Sequence, residues 1–372
     1  MASLTRRRAI IGGGASLALS HAANARANAN TKTETSSSIG SWTPMAAMPF
    51  PVQEIYPTAY RRFKPQQGRI KPISESVLIN AGGLTPDPRF PFNVTAALTI
   101  YDPRQNQWRL GPSLPDPAHH ISLASNSGEI YAIGGFLRDE YGGWRMQNAA
   151  YVLEDLDGPW YALEPLPIPQ AETVTATARG RVHVIGGRSP SGSLNAEWGD
   201  HIDTDKHWMY VASEDRWVER RPMPFARNSA AGAVYNNAIY VIGGRTVGRS
   251  NTPRVDVYDP LADRWQIAAP LPVPFQSGAP HGSGGLAAAS YNGKIYAFGG
   301  EWAYSGDPSA GGVYREVFEY DPREDKWRSV AAMPRPRHGL GAVALEDGIY
   351  LAGGALGPSS DRTTGFLDRF TI

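Results

Sequence analysis

The residues of this 372-residue chain best suited to chemistry are imidazoles and carboxylates in short polar segments: His119, His120, His281, His338 and Glu301. An imidazole beside a carboxylate can move a proton to or from a sugar carbon or ring oxygen. Four arginines stand in similar segments, Arg188, Arg227, Arg245 and Arg337, and their planar forks suit a carboxylate or sulfate group. Trp144, Trp198 and Trp302 offer flat apolar surface on which a sugar face can stack. Each type also has a structural use. A histidine can be a hydrogen-bonded framework residue, an arginine can tie neighbouring sheets, and a tryptophan can pack one loop against another.

Several chemistries fall away on composition. The chain has no cysteine, so disulfides, thiolate metal sites and cysteine nucleophiles are excluded. No His-x-His or His-Glu-x-x-His spacing occurs, and neither a Gly-x-Ser-x-Gly elbow nor a Gly-Lys-Ser/Thr phosphate loop is present. No metal and no cofactor is expected. With 36 basic and 35 acidic residues the charge gives no footprint for nucleic acid, and no apolar run of 18 residues is available to span a bilayer.

The first 29 residues read as an export signal: Arg6, Arg7 and Arg8, a modest apolar segment Ile10 to Leu19, then small residues with Ala-x-Ala sites. Arg7-Arg8 followed by Ala9, Ile10 and Ile11 resembles a twin-arginine pattern; a general secretory signal is the alternative. Either route puts the mature protein in the periplasm or outside the cell. Residues 30–39, rich in Ser and Thr, are expected to be a flexible lead-in to one domain over 40–372.

The elements that must position the reactive groups are set by a repeat. Six diglycines, Gly82-Gly83, Gly134-Gly135, Gly186-Gly187, Gly243-Gly244, Gly299-Gly300 and Gly353-Gly354, follow one another at steps of 52, 52, 57, 56 and 54 residues, each closing a short apolar run. Trp108, Trp160, Trp217, Trp265 and Trp327 follow them, and Tyr101, Tyr210, Tyr258 and Tyr320 stand seven residues before four of these tryptophans. A period of this length marks a repeat architecture. With Tyr-Asp-Pro at 101–103, 258–260 and 320–322, the pattern resembles the Kelch repeat, over about residues 40 to 372.

That resemblance implies an all-β, six-bladed β-propeller with four-stranded blades. The last repeat ends at Phe370 without a tryptophan of its own, whereas Ser41-Trp42-Thr43-Pro44 carries that signature with no repeat before it. The N-terminal segment is therefore expected to complete blade six. In Kelch propellers the b–c loops and the d–a connections share one face. Those segments contain the histidines, arginines and tryptophans named above, with Gln170, Glu172, Asn228, Glu197, Asp200, His201, Asp139 and Glu140. The insertion Arg61 to Pro72 is expected to be a loop on the opposite face.

Two functions remain. One is an exported module that binds a ligand, a carbohydrate or other small molecule, in its axial depression, with a protein partner also possible. The other is a carbohydrate isomerase, of mutarotase or epimerase type, or a lyase acting on an anionic sugar. The chain distantly resembles the exported propellers of the periplasmic sialic acid mutarotase and of galactose oxidase, but the tyrosine–cysteine cross-link of the latter is impossible here.

Overall fold

A computed structural model describes residues 39–66, 69–138, 142–248, 251–274, 281–304, 307–359 and 362–372. The expected export signal, and the lead-in apart from Ile39, lie outside them. Each blade is an antiparallel sheet whose strands a to d run outwards from the axis. Blade 1 comprises Thr58–Gln66, Arg69–Ala81, Leu98–Asp102 and Gln107–Gly111. Blade 2 comprises Ser122–Asn126, Glu129–Ile133, Ala150–Leu153 and Trp160–Ala162; blade 3, Val174–Ala178, Arg181–Ile185, His207–Val211 and Arg216–Glu219. Blade 4 is Ala231–Tyr235, Ala238–Ile242, Val255–Asp259 and Arg264–Ala268; blade 5, Ala287–Tyr291, Lys294–Phe298, Val317–Asp321 and Lys326–Ser329. Blade 6 takes strands a to c from Gly341–Leu345, Gly348–Ala352 and Leu367–Thr371, and strand d from Ser41–Pro44.

The closure follows the sequence expectation. Ser41 pairs with Thr371 and Trp42 with Phe370, and the Trp42 and Phe370 rings lie 4.8 Å apart. First and last strands thus share one sheet, which gives blade 6 its fourth strand and ties the two ends of the ring together.

Strand composition follows distance from the axis. Strands a crowd together at the centre and are built from small residues, as in Ala287-Ala288-Ala289-Ser290. At Gly341 a Cβ would stand 2.1 Å from Pro57 Cγ, so even alanine is too large there. Strands b are apolar on both faces, because each blade is packed between two others; Ile-Tyr-Ala-Phe of blade 5 is fully buried. Strands d at the rim are largely exposed.

The repeating aromatics stitch blade to blade. Each wedge tryptophan donates its indole N–H to a backbone carbonyl of the preceding blade: Trp108 to Ala46, Trp160 to Pro112, Trp217 to Glu164, Trp265 to Arg221, Trp327 to Ala269 and Trp42 to Ala331, at 2.8–3.0 Å. The strand-c tyrosines donate to an acceptor in their own c–d turn, Tyr258 to Asp263 and Tyr320 to Asp325 among them. These buried polar tips are thereby satisfied while the rings fill the wedge.

Each diglycine ends strand b where the chain turns into the next blade's territory. At Gly299-Gly300 φ is +57° and +94°, and a Cβ on Gly299 would meet Arg337 O at 2.3 Å, so glycine is required there. The Gly300 N–H donates to that same carbonyl, joining blade 5 to blade 6.

Two expectations change. Three b–c loops contain short hairpins, Phe136–Leu137 with Arg145–Met146, Arg188–Pro190 with His201–Asp203, and Glu301–Tyr304 with Asp307–Val313. The Arg61–Pro72 insertion is not a loop: strands a and b of blade 1 continue through it, pairing Phe63 with Pro72 and Gln66 with Arg69 after a bulge. Antiparallel pairing of the two arms satisfies backbone groups that a loop would leave to water.

Candidate ligand-binding site

The site grows from one backbone position repeated in every d–a connection. Glu54, His120, Glu172, Ser229, Gly285 and Gly339 all adopt left-handed backbone, with φ between 50° and 61°. Their peptide groups hydrogen-bond around the axis: His120 N to Glu54 O, Glu54 N to Gly339 O, Gly339 N to Gly285 O, Gly285 N to Ser229 O and Ser229 N to Glu172 O, at 2.7–3.2 Å. This collar forces the same turn on every blade. Glycine adopts it freely, whereas other residues are strained, by about 1 kcal/mol or more each. Glu54, His120, Glu172 and Ser229 occupy it nonetheless.

The residue before each collar position bridges to the residue after the diglycine: His119 with Phe136, Ala171 with Arg188, Asn228 with Arg245, Gly284 with Glu301 and His338 with Ala355. Two rings of side chains therefore meet over the collar. They enclose a cavity of about 440 Å³ whose lining includes Glu54, His120, Arg138, Trp144, Glu172, Trp198, Arg245 and Glu301. A narrower cavity of about 110 Å³ lies between strands a, lined by Tyr56, Ser122, Thr173, Thr175 and apolar residues. It carries no acidic or basic side chain, so the chemistry belongs to the mouth.

His120 Nε2 lies 2.9 Å from Glu54 Oε2 and 3.9 Å from Glu172 Oε1. Glu172 accepts from Ser229 Oγ at 2.7 Å and stands 3.8 Å from Arg188 Nη1. His338 Nδ1 lies 3.8 Å from Glu54 and 3.7 Å from Glu301. Arg245 donates to Glu301, whose other oxygen accepts from the Ser359 N–H. Burial by itself would raise the Glu54 carboxyl, but His120, His338 and Arg245 outweigh it and hold the group well below the usual carboxylate range. The balance at Glu172 is similar: burial opposes ionisation, and Arg188, Arg245 and the hydrogen bond from Ser229 hold its pKa below normal. Burial lowers Arg188, whereas Arg245 ends above its ordinary value because Glu301, Glu172 and Glu54 outweigh burial. Both carboxylates are thus held ionised.

Aromatic rings frame this polar floor. Trp144 and Trp198 meet edge to face at 5.1 Å, and Trp198 lies on the Arg188 guanidinium at 3.4 Å, a cation–π contact. A single 3-10 turn, Trp198–Asp200, presents Trp198; Asp200 ties it down by accepting from the N–H groups of Ala196 and Glu197. Glu197 and Asp200 are accounted for by this turn. His201 is buried under Phe136, 5.5 Å between rings.

Of the residues singled out in the sequence, His120, Glu172, Asn228, Arg245, Glu301, Trp144 and Trp198 line the cavity. His119, Arg188 and His338 stand directly behind it, each almost fully buried. The expectation that Arg227 and Arg337 face a ligand is corrected. Arg227 donates to Asp256, Gly243 O and Val241 O inside blade 4, and Arg337 to Asp368, Gly353 O and Phe366 O inside blade 6. They sit one residue before the bridging position, where the side chain turns into the blade. His281 hydrogen-bonds Val273 O, and Trp302, partly buried, packs against the core between blades 4 and 5; neither lines the cavity. Asp139 and Glu140 lie outside the described residues.

Glu54 was missed by the sequence reading, and Glu172 was noted only as a neighbour. The signal was positional. Glu172 stands two residues before strand a, as His120 does, whereas Glu54 stands four before it and precedes the first diglycine, where no earlier repeat supplies a frame. Among the described residues, no group of three or more histidine, aspartate or glutamate side chains is arranged to hold a metal ion, and no helix is long and apolar enough to cross a membrane.

Comparison with known proteins agrees with the architecture. A family model described as "Kelch motif" matches residues 226–272 and 283–334. The human Kelch repeat and BTB domain-containing protein 12 is 30% identical over 219 residues, covering 55% of this chain and 34% of that protein. Beta-scruin of Limulus polyphemus is 29% identical over 232 residues, covering 62% and 24%. The chain therefore spans about a third or less of the length of these relatives. The solved structure titled "Structure of YjhT" superposes with a TM-score of 0.68 at 15% identity, over 87% of this chain and 95% of that one, a likeness of fold. The period, the six four-stranded sheets and these matches together establish that the chain is a six-bladed β-propeller that carries Kelch motifs.

Proposed function

We propose that the axial mouth binds a carbohydrate. One observation carries the reading: Glu54, His120 and Glu172 occupy strained left-handed positions that the opposite half of the collar fills with Ser229, Gly285 and Gly339, and strain of this kind is kept where a site needs it. Ionised carboxylates accept from sugar hydroxyls, and Trp144 and Trp198 give the apolar CH face of a pyranose its stacking surface. The test is titration of the protein with a panel of neutral, amino and uronic sugars by calorimetry. Saturable binding that is lost in both Trp144→Ala and Trp198→Ala supports the reading; no heat from any sugar at millimolar concentration overturns it and favours a protein segment as the ligand.

A second reading is favoured by the 2.9 Å contact of His120 with Glu54 and the nearby Glu172: a sugar isomerase in which one carboxylate takes a proton from the substrate and returns it. Anomer-resolved NMR separates the two. Faster anomer exchange with protein present, lost in Glu54→Gln, marks the enzyme, and binding without exchange marks the module.

The same proposal holds the protein to be exported by the segment ending near residue 29. Replacing Arg7 and Arg8 by lysine and following the protein in cell fractions tests this; undiminished export of the double variant sinks the twin-arginine route.

A further inference from the structure

His119 lies outside the cavity lining, yet it is wholly buried and touches the one imidazole that faces both carboxylates. Its Nδ1 is 2.7 Å from Nδ1 of His120. At that distance one proton, and only one, lies between the two nitrogens: two lone pairs or two N–H groups would repel.

Which ring owns the proton follows from the other ends. His120 Nε2 faces the Glu54 carboxylate at 2.9 Å, and a carboxylate accepts, so His120 carries its proton on Nε2. A neutral His120 then presents a lone pair at Nδ1, and His119 supplies the N–H. The far nitrogen of His119, Nε2, is buried without a hydrogen-bond partner, among Phe136 and Trp144, whose rings lie 5.2 and 4.5 Å from His119. As a lone pair that atom is tolerable; as an orphaned N–H it would be expensive. Burial also holds His119 neutral, its pKa well below the ordinary imidazole value.

We propose that His119 is a positioning residue: it donates its Nδ1–H to Nδ1 of His120 and so fixes His120 as a neutral hydrogen-bond donor, with its single proton on Nε2 directed at Glu54 and Glu172. A second proton on His120 would have to enter at Nδ1, against the His119 N–H. His120 then does not carry protons to and from a ligand; it steadies negative charge, and proton transfer falls to Glu54 and Glu172. That division of labour rests on the mouth being a ligand site, whereas the position of the proton does not. The other rings near His120 are Tyr56 at 6.1 Å and Phe136 and Trp144 at 5.6 and 6.1 Å, none of which competes for Nδ1.

The experiment is long-range proton–nitrogen NMR on the full protein with ¹⁵N-labelled histidine, near neutral pH and without ligand. The expected spectrum has His119 protonated at Nδ1, His120 at Nε2 only, and a nitrogen–nitrogen coupling across the hydrogen bond. A proton on His120 Nδ1, or no coupling between the two rings, overturns the proposal. His119→Asn keeps a donor at the Nδ1 position and should leave the His120 signature unchanged, whereas His119→Phe keeps the packing and should let His120 take a second proton. An unchanged His120 spectrum in His119→Phe also overturns it. Sugar binding is read separately, so failure of the carbohydrate reading leaves these outcomes interpretable.

Discussion

Blades 1 to 3 and blades 4 to 6 solve the same backbone problem with opposite chemistry. Around the collar the first half holds Glu54, His120 and Glu172, and the second half Ser229, Gly285 and Gly339. The turn itself is served best by glycine, so blades 5 and 6 are the bland solution. Two residues upstream the balance reverses: blades 4 and 6 carry Arg227 and Arg337 turned inward onto Asp256 and Asp368, while the corresponding residues of blades 1 and 2 are Val52 and Ala118. A shift of two residues along one connection thus decides whether a charge locks a blade or faces the mouth.

The largest expected effect separates these two kinds of charge. Arg337→Ala leaves Asp368 buried with only Arg335 in reach, and should destabilise the protein by about 3 kcal/mol in urea unfolding. Sugar affinity of the folded protein should stay unchanged; a selective loss of affinity would return Arg337 to the site.

Acid provides the next contrast. His183 and His207, hydrogen-bonded to each other at 2.9 Å in the interior of blade 3, are pushed down by burial to about 4 and about 3. Both are neutral in the folded state and titrate near 6.5 when unfolded, so their contribution is complete above about pH 6.5 and is lost as pH falls towards 4. Melting temperature against pH should fall through that window, and His207→Phe should flatten the fall. A profile unchanged in that variant would show that other groups set the acid limit.

At the mouth, Glu54→Gln should weaken the sugar bound by the wild type about 10- to 100-fold, the size of a hydrogen bond to a charged group, with a smaller change in stability. An equal loss from Ser229→Ala would erase the distinction between the two halves.

The smallest effect probes the turn alone. Gly285→Ala meets nothing closer than 3.5 Å, and should cost about 1 kcal/mol from its left-handed backbone. Gly339→Ala, whose Cβ would come within 3.0 Å of the Glu54 carboxyl, should perturb ligand binding as well. Equal behaviour of the two would mean that Glu54 has no role in the mouth.

The ring was legible in the sequence because each of its parts recurs. Diglycine, tyrosine and tryptophan follow one another in the same order, with tyrosine seven residues before tryptophan in four repeats, and Trp42 and Phe370 are complementary halves of one repeat. The site was legible only in part, because its residues are the ones that do not recur. Arg245 and Glu301 were found through their place after a diglycine. Arg227 and Arg337 looked like ligand groups by type, but their buried aspartates stand 29 and 31 residues later on strand c, beyond any local pattern. Trp302 has the composition of an exposed stacking residue, yet the Glu301–Tyr304 hairpin folds it onto Gly312.

The clasp formed by Ser41–Pro44 also bounds how the chain can be matured. The Ile39 carbonyl already receives the Ala331 N–H, and at Gly40, with φ of +94°, a Cβ would collide with the Phe370 ring at 2.5 Å. Any peptidase that trims the N-terminus must therefore cut upstream of Ile39. A cut only a few residues later would strip the sixth sheet of its outer strand and unfasten the toroid.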